Sequence, residues 1–380
     1  MNGFYWIYLV MIGFLVGYSL TKTKEQRRSI YYASVVFLII IFIAQDCSVS
    51  IDIAEYMRQY AIIPTLSFGQ MLTHKFEIGF VLLCRLLEAA FESDRVLLVA
   101  MGVLILLPFG RYYERESSQP MVALMAFVAL GMYMHAIIFW RQLAAMAILT
   151  FAIPYIRQRK LLPFLLILLA AMSFHKTAVV FLWIYLIYNV PIGKWLLIGC
   201  AGLAVVLGFF GNDIIDFGIA LLYPKYALFP RLVIGGYTLL ALLWVVTLLS
   251  YWVFRDRMDD PRIRIPFLMV LTAATIQPVC FAFYNWLRIV LYFRVALAAI
   301  TAELFVELFE NKENVLLTAI NKVTPKLYGK IVKLYDSKWF SLSMQLVLFA
   351  VLFVWYVSEL DGAVYRMAPI FTGPIPPPGS

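Results

Sequence analysis

Apolar residues in this chain come in long unbroken blocks, not in the short alternations that mark half-buried strands. The blocks lie at 4-20, 30-44, 76-91, 96-109, 121-139, 142-156, 161-173, 178-189, 195-210, 232-254, 266-283, 289-306 and 340-357. A helix needs roughly 17 to 25 mainly apolar residues to cross a bilayer, and shorter blocks can be buried among full spans. The pattern therefore predicts an all-α, polytopic integral membrane helical bundle.

Polar residues between the blocks set the orientation. Basic clusters follow the first block (Lys22, Lys24, Arg27, Arg28), the sixth (Arg157, Arg159, Lys160), the tenth (Arg255, Arg257, Arg262, Arg264) and the twelfth (Lys312, Lys322, Lys326, Lys330, Lys333, Lys338). Lysine and arginine mark cytoplasmic loops. An even number of crossings must separate the first two clusters, yet five blocks lie between them. Block 76-91 carries Glu77, Arg85 and Glu88, so it is set aside as an interfacial or re-entrant helix. About 12 transmembrane helices remain, with both termini outside. The predicted organisation is a single transmembrane domain, 1-357, with an extracytoplasmic insertion at 45-94, a basic cytoplasmic loop at 309-338 and a Pro-rich extracytoplasmic tail at 358-380. The first block has no basic residue ahead of it and no small-residue cleavage site behind it, so it is expected to stay as a span.

Composition agrees: 63% of residues are hydrophobic and 14% charged, against roughly 25% charged in soluble domains. The net charge of +9 is held mostly by inner loops, which contain 20 of the 31 lysines and arginines. That makes the charge a topology signal, and membrane lipids rather than nucleic acid are the expected partners. Cys47, Cys84, Cys200 and Cys280 are scattered without a Cys-x-x-Cys pair, which predicts burial as small apolar residues.

The candidate chemistry starts from Arg141, the single formal charge between Met121 and Ile156. Arginine at the centre of a span costs about 2.5–3.5 kcal/mol. Arg141, with Gln142, is expected at a water boundary or polar cavity and kept for an anion. Two further spots share the expected outer boundary: His175-Lys176 within Ser173 to Thr177, and Asn285 to Arg288 followed by Tyr292-Phe293. In the insertion, Asp52, Glu55, Tyr56, Gln59 and Tyr60 fall at helical spacing, one face of a short helix ending near Pro64. That face suits a sugar or headgroup cleft, or an interfacial helix with tyrosine anchors. Structural accounts exist for each spot: Arg141 snorkelling to bulk lipid, His175 capping the next helix, Arg288 pairing with a carboxylate. Three spots at one expected depth favour a shared site.

No Asp-x-Asp metal motif, Gly-x-x-x-x-Gly-Lys loop, Gly-x-Ser-x-Gly elbow or His-Glu-x-x-His is present, so no metal or cofactor is expected. The ordered set that remains is Asp52, Tyr56 and Tyr60; Glu77-Ile78-Gly79-Phe80; Arg141-Gln142-Leu143-Ala144; the basic turn Tyr155 to Lys160; Ala171 through Phe174-His175-Lys176-Thr177-Ala178; and Arg288 to Phe293. This order resembles the EpsG-type branch of the Wzy-like polysaccharide polymerases, which build O-antigen or exopolysaccharide from repeat units. The resemblance covers about residues 45 to 300 and departs from the family pattern at Gln45 to Ile51, where no arginine or glycine precedes Asp52.

The resemblance implies a membrane glycosyltransferase at the outer face of the bacterial inner membrane. Its donor and acceptor are undecaprenyl-diphosphate-linked oligosaccharides, and a chain-length regulator and other polysaccharide-export proteins are further partners. Arg141 and Arg288 would neutralise the departing diphosphate through bidentate, always-charged contacts. His175, Asp52 or Glu77 would supply the base, with Lys176 favouring a neutral His175 imidazole. Gln142, Lys176, Tyr56, Tyr60 and Tyr292 would contact substrate. Two other readings use similar residues. A glycan ligase or other lipid-diphosphate transferase needs the same cations and base, while a polysaccharide-lipid transporter or flippase should show polar mid-membrane positions and repeated halves.

Overall fold

The computed structural model describes residues 3–47, 50–91, 93, 95–222 and 236–360. Among them there are helices and connecting turns but no strand. The Pro-rich tail lies outside the described residues from 361 onward, and the chain stays helical to Leu360, three residues into the predicted tail.

In chain order, α1 is Gly3–Leu20 and α2 is Lys24–Ile43, started by Thr23, whose side chain accepts the Gln26 N–H. The insertion folds as α3 (Ile51–Ile62), α4 (Phe68–Leu72) and α5 (Ile78–Ala90). Ser50 caps α3, and Ser67 with Gln70 forms a reciprocal capping box on α4. Then come α6 (Arg95–Glu116), α7 (Pro120–Ala129), α8 (Met132–Ile138), α9 (Trp140–Leu149), α10 (Ile153–Arg157), α11 (Leu161–Met172) and α12 (Leu182–Ile187). The remainder is α13 (Lys194–Leu222), α14 (Tyr237–Phe254), α15 (Pro261–Ile276), α16 (Leu287–Arg294), α17 (Ala296–Phe309), α18 (Val315–Val323), α19 (Pro325–Tyr335) and α20 (Lys338–Leu360).

Among the described residues, seven helices are long and apolar enough to cross a membrane: α2, α6, α13, α14 with its following turn, α15 with its following turn, α16–α17 together, and α20. An eighth is added if α7 and α8 form one span, bent by 62°. At that bend Gly131 takes φ 77°, a left-handed conformation that only glycine adopts without a Cβ penalty. The sequence predicts twelve. The difference lies in blocks that are apolar but short or broken. Trp6–Leu20, Leu161–Met172 and Lys176–Ile187 are 10–17 residues long. Block 142-156 is interrupted, because α9 gives way to a 3₁₀ turn at Thr150–Ala152 and Pro154 opens α10. Block 76-91, outside the predicted twelve, is α5, whose 13 residues are too few to span, as expected of an interfacial or re-entrant helix.

The described residues pack as two units, those within 1–116 with 127–182, and those within 117–126 with 183–360. In the first, α2, α6 and α9 pack together, with α1 on α2 and α11 on α9. Tyr31 donates to the Gly110 carbonyl at 2.6 Å and Tyr133 to that of Leu38 at 2.8 Å, so both buried phenols are satisfied. In the second, α15 and α17 are buried almost all round, and α13, α14 and α20 pack against one or both of them. The outer side of α13 carries exposed Trp195, Ile198, Val205 and Phe209, a lipid-facing composition. The predicted basic loop 309-338 folds into α18 and α19. Lys326, Lys330 and Lys333 share α19 with exposed Leu327 and Leu334, which is the composition of an interfacial helix. The cysteines are free, and Cys47, Cys84 and Cys280 are buried.

Candidate functional site

Glu77 organises the site. It stands at the N-cap of α5, where a carboxylate ordinarily accepts from the first amides of its own helix. Its side chain makes no such bond. Instead Oε2 accepts from Nη1 of Arg141, while Oε1 accepts the Lys176 backbone N–H at 3.1 Å and lies 3.5 Å from Nδ1 of His175.

Close backbone approach makes this possible. The Gly79 N–H donates to the Ser173 carbonyl at 2.7 Å, and a Cβ built on residue 79 would stand 2.7 Å from that same oxygen. Only glycine allows α5 to meet the turn after α11 at this distance. Glu77 then caps the 3₁₀ helix Lys176–Phe181. His175 has extended backbone and supplies no side-chain cap to that helix, so the capping account of His175 does not hold.

Arg141 reaches Glu77 across an aromatic surface. Its guanidinium carbon lies 4.1 Å from the Phe76 ring centre and 5.7 Å from that of Tyr56. Tyr56 stacks on Trp140 at 5.2 Å, and the Trp140 indole donates to the Ile137 carbonyl at 2.6 Å. The side chains of Arg141 and Glu77 are only 14% and 10% exposed. In such surroundings an ion pair is stronger than in water, and the ring faces add cation–π attraction. Arg141 Nε is buried and makes no hydrogen bond. The sequence suggests an arginine kept for an external anion; the fold gives it an internal one.

Burial by itself would raise the Glu77 carboxyl. The neighbouring His175, the Arg141 charge and the Lys176 amide outweigh burial and hold the group down at about 2. Glu77 is therefore ionised at neutral pH, with both oxygens engaged.

A second polar chain supports the loop that carries Phe76. Glu55 accepts from Arg58 at 2.8 Å and from Gln59 at 2.9 Å, and pairs with Lys75. Gln59 Oε1 lies 3.0 Å from His74 Nε2, and His74 Nδ1 accepts the Phe76 N–H at 3.0 Å. Because Nδ1 is the acceptor, Nε2 carries the proton toward Gln59. Burial, followed by the charges of Lys75 and Arg141, lowers the His74 pKa, which keeps the ring in that neutral form.

The fold thus brings Glu77, Arg141, His175, Lys176 and Tyr56 together in the first unit. Asp52 is half-buried at the start of α3, its N–H donating to Ser50 at 3.2 Å. Tyr56, Gln59 and Tyr60 are buried, so the face expected to line an open cleft is largely a packing face. Gln142 is buried too, and Lys176 is exposed. Arg288, half-buried, and Tyr292, 1% exposed, belong to the second unit. Sequence reasoning gives no role to Phe76, Trp140 or His74. The first two read as ordinary apolar positions, and His74 precedes any motif.

Fold and site together define a class: an all-helical, multi-pass membrane protein with a buried Arg–Glu–His cluster built on a non-spanning insertion and the ends of short or broken helices. The chain belongs to the EpsG family, whose family model matches residues 29–324. The match contains every residue of the cluster and Arg288. No curated protein and no solved structure matches the chain.

Proposed function

We propose that this protein polymerises lipid-diphosphate-linked oligosaccharide repeat units into a polysaccharide, acting as a metal-independent glycosyltransferase at the outer face of the bacterial inner membrane. Membership of the EpsG family supports the reaction class, and the Glu77 carboxylate shared by Arg141 and His175 is the observation that supports the mechanism.

In this reading an acceptor sugar hydroxyl attacks the anomeric carbon of the donor. A carbon–oxygen bond forms there as the bond to the diphosphate oxygen breaks, and the lipid diphosphate leaves with the electron pair. The hydroxyl proton passes to Nε2 of His175, the ring nitrogen opposite the one facing Glu77. Glu77 orients the imidazole and offsets its charge as it becomes imidazolium, as a carboxylate does behind a catalytic histidine. With its pKa at about 2, Glu77 is too weak a base to take the proton itself. The cation for the departing diphosphate is the exposed Lys176 ammonium, while Arg141, whose charge is already paired with Glu77, and Arg288 are separate candidates to be judged by their own variants. Asp52 is the alternative base. Undecaprenyl diphosphate as the carrier, outer-face orientation and export-protein partners all follow from the family resemblance and form part of this proposal.

The test is polymerisation of a purified lipid-linked repeat unit. His175→Ala is expected to slow it by about 10²–10⁴-fold without loss of folding. A near-normal rate would hand the base role to Asp52. In cells lacking the protein, single repeat units should accumulate on the carrier. Long polymer on the carrier would favour the ligase reading instead.

A further inference from the structure

The first unit holds a second basic feature, remote in sequence from Glu77. At the basic end of α6, a cavity of about 330 Å³ is lined by Arg111, Tyr112, Arg115 and the Arg157-paired carboxylate Glu116 from that helix, and by Thr150, Tyr155 and Gln158 from the broken segment after α9. Pro108, Phe151 and Ile167 form apolar wall. Nearby arginines have carboxylate partners: Arg157 pairs with Glu116 at 2.6 Å and Arg28 with Glu114 at 2.7 Å. Arg111 and Arg115 have none among the described residues.

Two arginines four apart on a helix sit on one face, about 6 Å apart at Cβ, and repel unless an anion lies between them. Arg115, in the last turn of α6, also opposes the negative end of the helix dipole. That accounts for one charge and leaves Arg111, one turn earlier in the helix and, like Arg115, exposed. Guanidinium forks, phenols and an amide around one cavity match the oxygens of a phosphate. The volume suits a headgroup, and exposed Phe151 continues the wall with a surface for an acyl chain. Basic pockets between membrane helices bind anionic headgroups in this way.

We infer that this cavity binds the phosphate of an anionic membrane lipid, held by Arg111 and Arg115 with Tyr112, Tyr155 and Gln158 around it. The site locks α6 to the interrupted segment 150–158, to which the Arg157–Glu116 pair also ties it.

The full-length protein in neutral detergent would be titrated with phosphatidylglycerol, with phosphatidylcholine and with inorganic diphosphate, and followed by native mass spectrometry and thermal stability. Phosphatidylglycerol should be retained and raise the melting temperature, phosphatidylcholine should not, and the double variant Arg111→Gln/Arg115→Gln should weaken retention at least tenfold. Unchanged retention in that variant, or no preference of the wild-type protein for phosphatidylglycerol over phosphatidylcholine, would overturn the site. Equal stabilisation by inorganic diphosphate would overturn the lipid assignment in favour of a soluble anion. Glu116→Gln removes a carboxylate from the wall and frees Arg157, so it should hold phosphatidylglycerol at least as tightly as wild type, and weaker binding there would count against the proposal.

Discussion

Glu77 and Arg141 depend on each other, since each is the buried counter-charge of the other. Removing one partner of a buried pair strands a charge and costs about 3–5 kcal/mol. Glu77→Gln and Arg141→Gln should each lower thermal stability markedly, whereas the double variant should lose less than the two together, a coupling that a double-mutant cycle reads directly. Arg141→Lys should rescue poorly, because an ammonium cannot reproduce the planar stacking on Phe76. His175 differs: its side chain does not cap the 3₁₀ helix, and it faces a carboxylate that Arg141 and the Lys176 amide also hold, so His175→Ala should cost less stability than loss of Arg141 while activity falls. The folded pKa of Glu77, about 2, lies below the ordinary value of 4.5. Its contribution to stability is therefore fully present above about pH 4.5 and is lost as pH falls through about 2. Acid unfolding followed by circular dichroism should lose that component in Glu77→Gln, and an unchanged acid profile would remove Glu77 from the account.

At the scale of elements, the decisive contact is α5 against the turn after α11. Gly79→Ala forces a methyl group against the Ser173 carbonyl, and overpacking of this kind costs about 1–3 kcal/mol. Displacing that turn also moves His175 away from Glu77, so activity should fall by more than the stability loss explains. Gly69→Ala on α4 is the control, since nothing lies within 4 Å of its Cβ position and the change should be neutral or slightly stabilising. The motif Glu77-Ile78-Gly79-Phe80 was legible in the sequence as an ordered unit. Its physical content was not, because a glycine gives no sign of which distant carbonyl it must approach.

For the whole molecule, charge asymmetry predicts that Lys24, Arg159, Arg257 and Lys330 face the cytoplasm and that Glu55 and Lys176 face outward. Single-cysteine variants at these six positions, labelled with a membrane-impermeant reagent, check this. Outside labelling at position 24 with protection at 176 would invert the orientation. The basic turn Tyr155 to Lys160 and the candidate lipid cavity would then face the side opposite to the one proposed, while their chemistry would be unchanged.

Helical class, membrane residence and the set of polar residues worth watching were all determined by the sequence. Each is a local property: apolar blocks exclude a soluble fold, and a lone charge in such a block stands out by its cost. Pairing and continuity were decided only by the tertiary structure. Arg141 finds its counter-ion 64 residues away, and the amide that Glu77 caps lies 99 residues away, distances over which no periodicity carries information. Hydropathy sums apolar side chains along the chain and does not register where the backbone breaks, so of the twelve crossings expected only seven or eight are long apolar helices among the described residues. The short and broken remainder, with the insertion, is where Glu77, Arg141 and His175 meet, because non-spanning segments leave the backbone free to bring a carboxylate, an arginine and a histidine to one point.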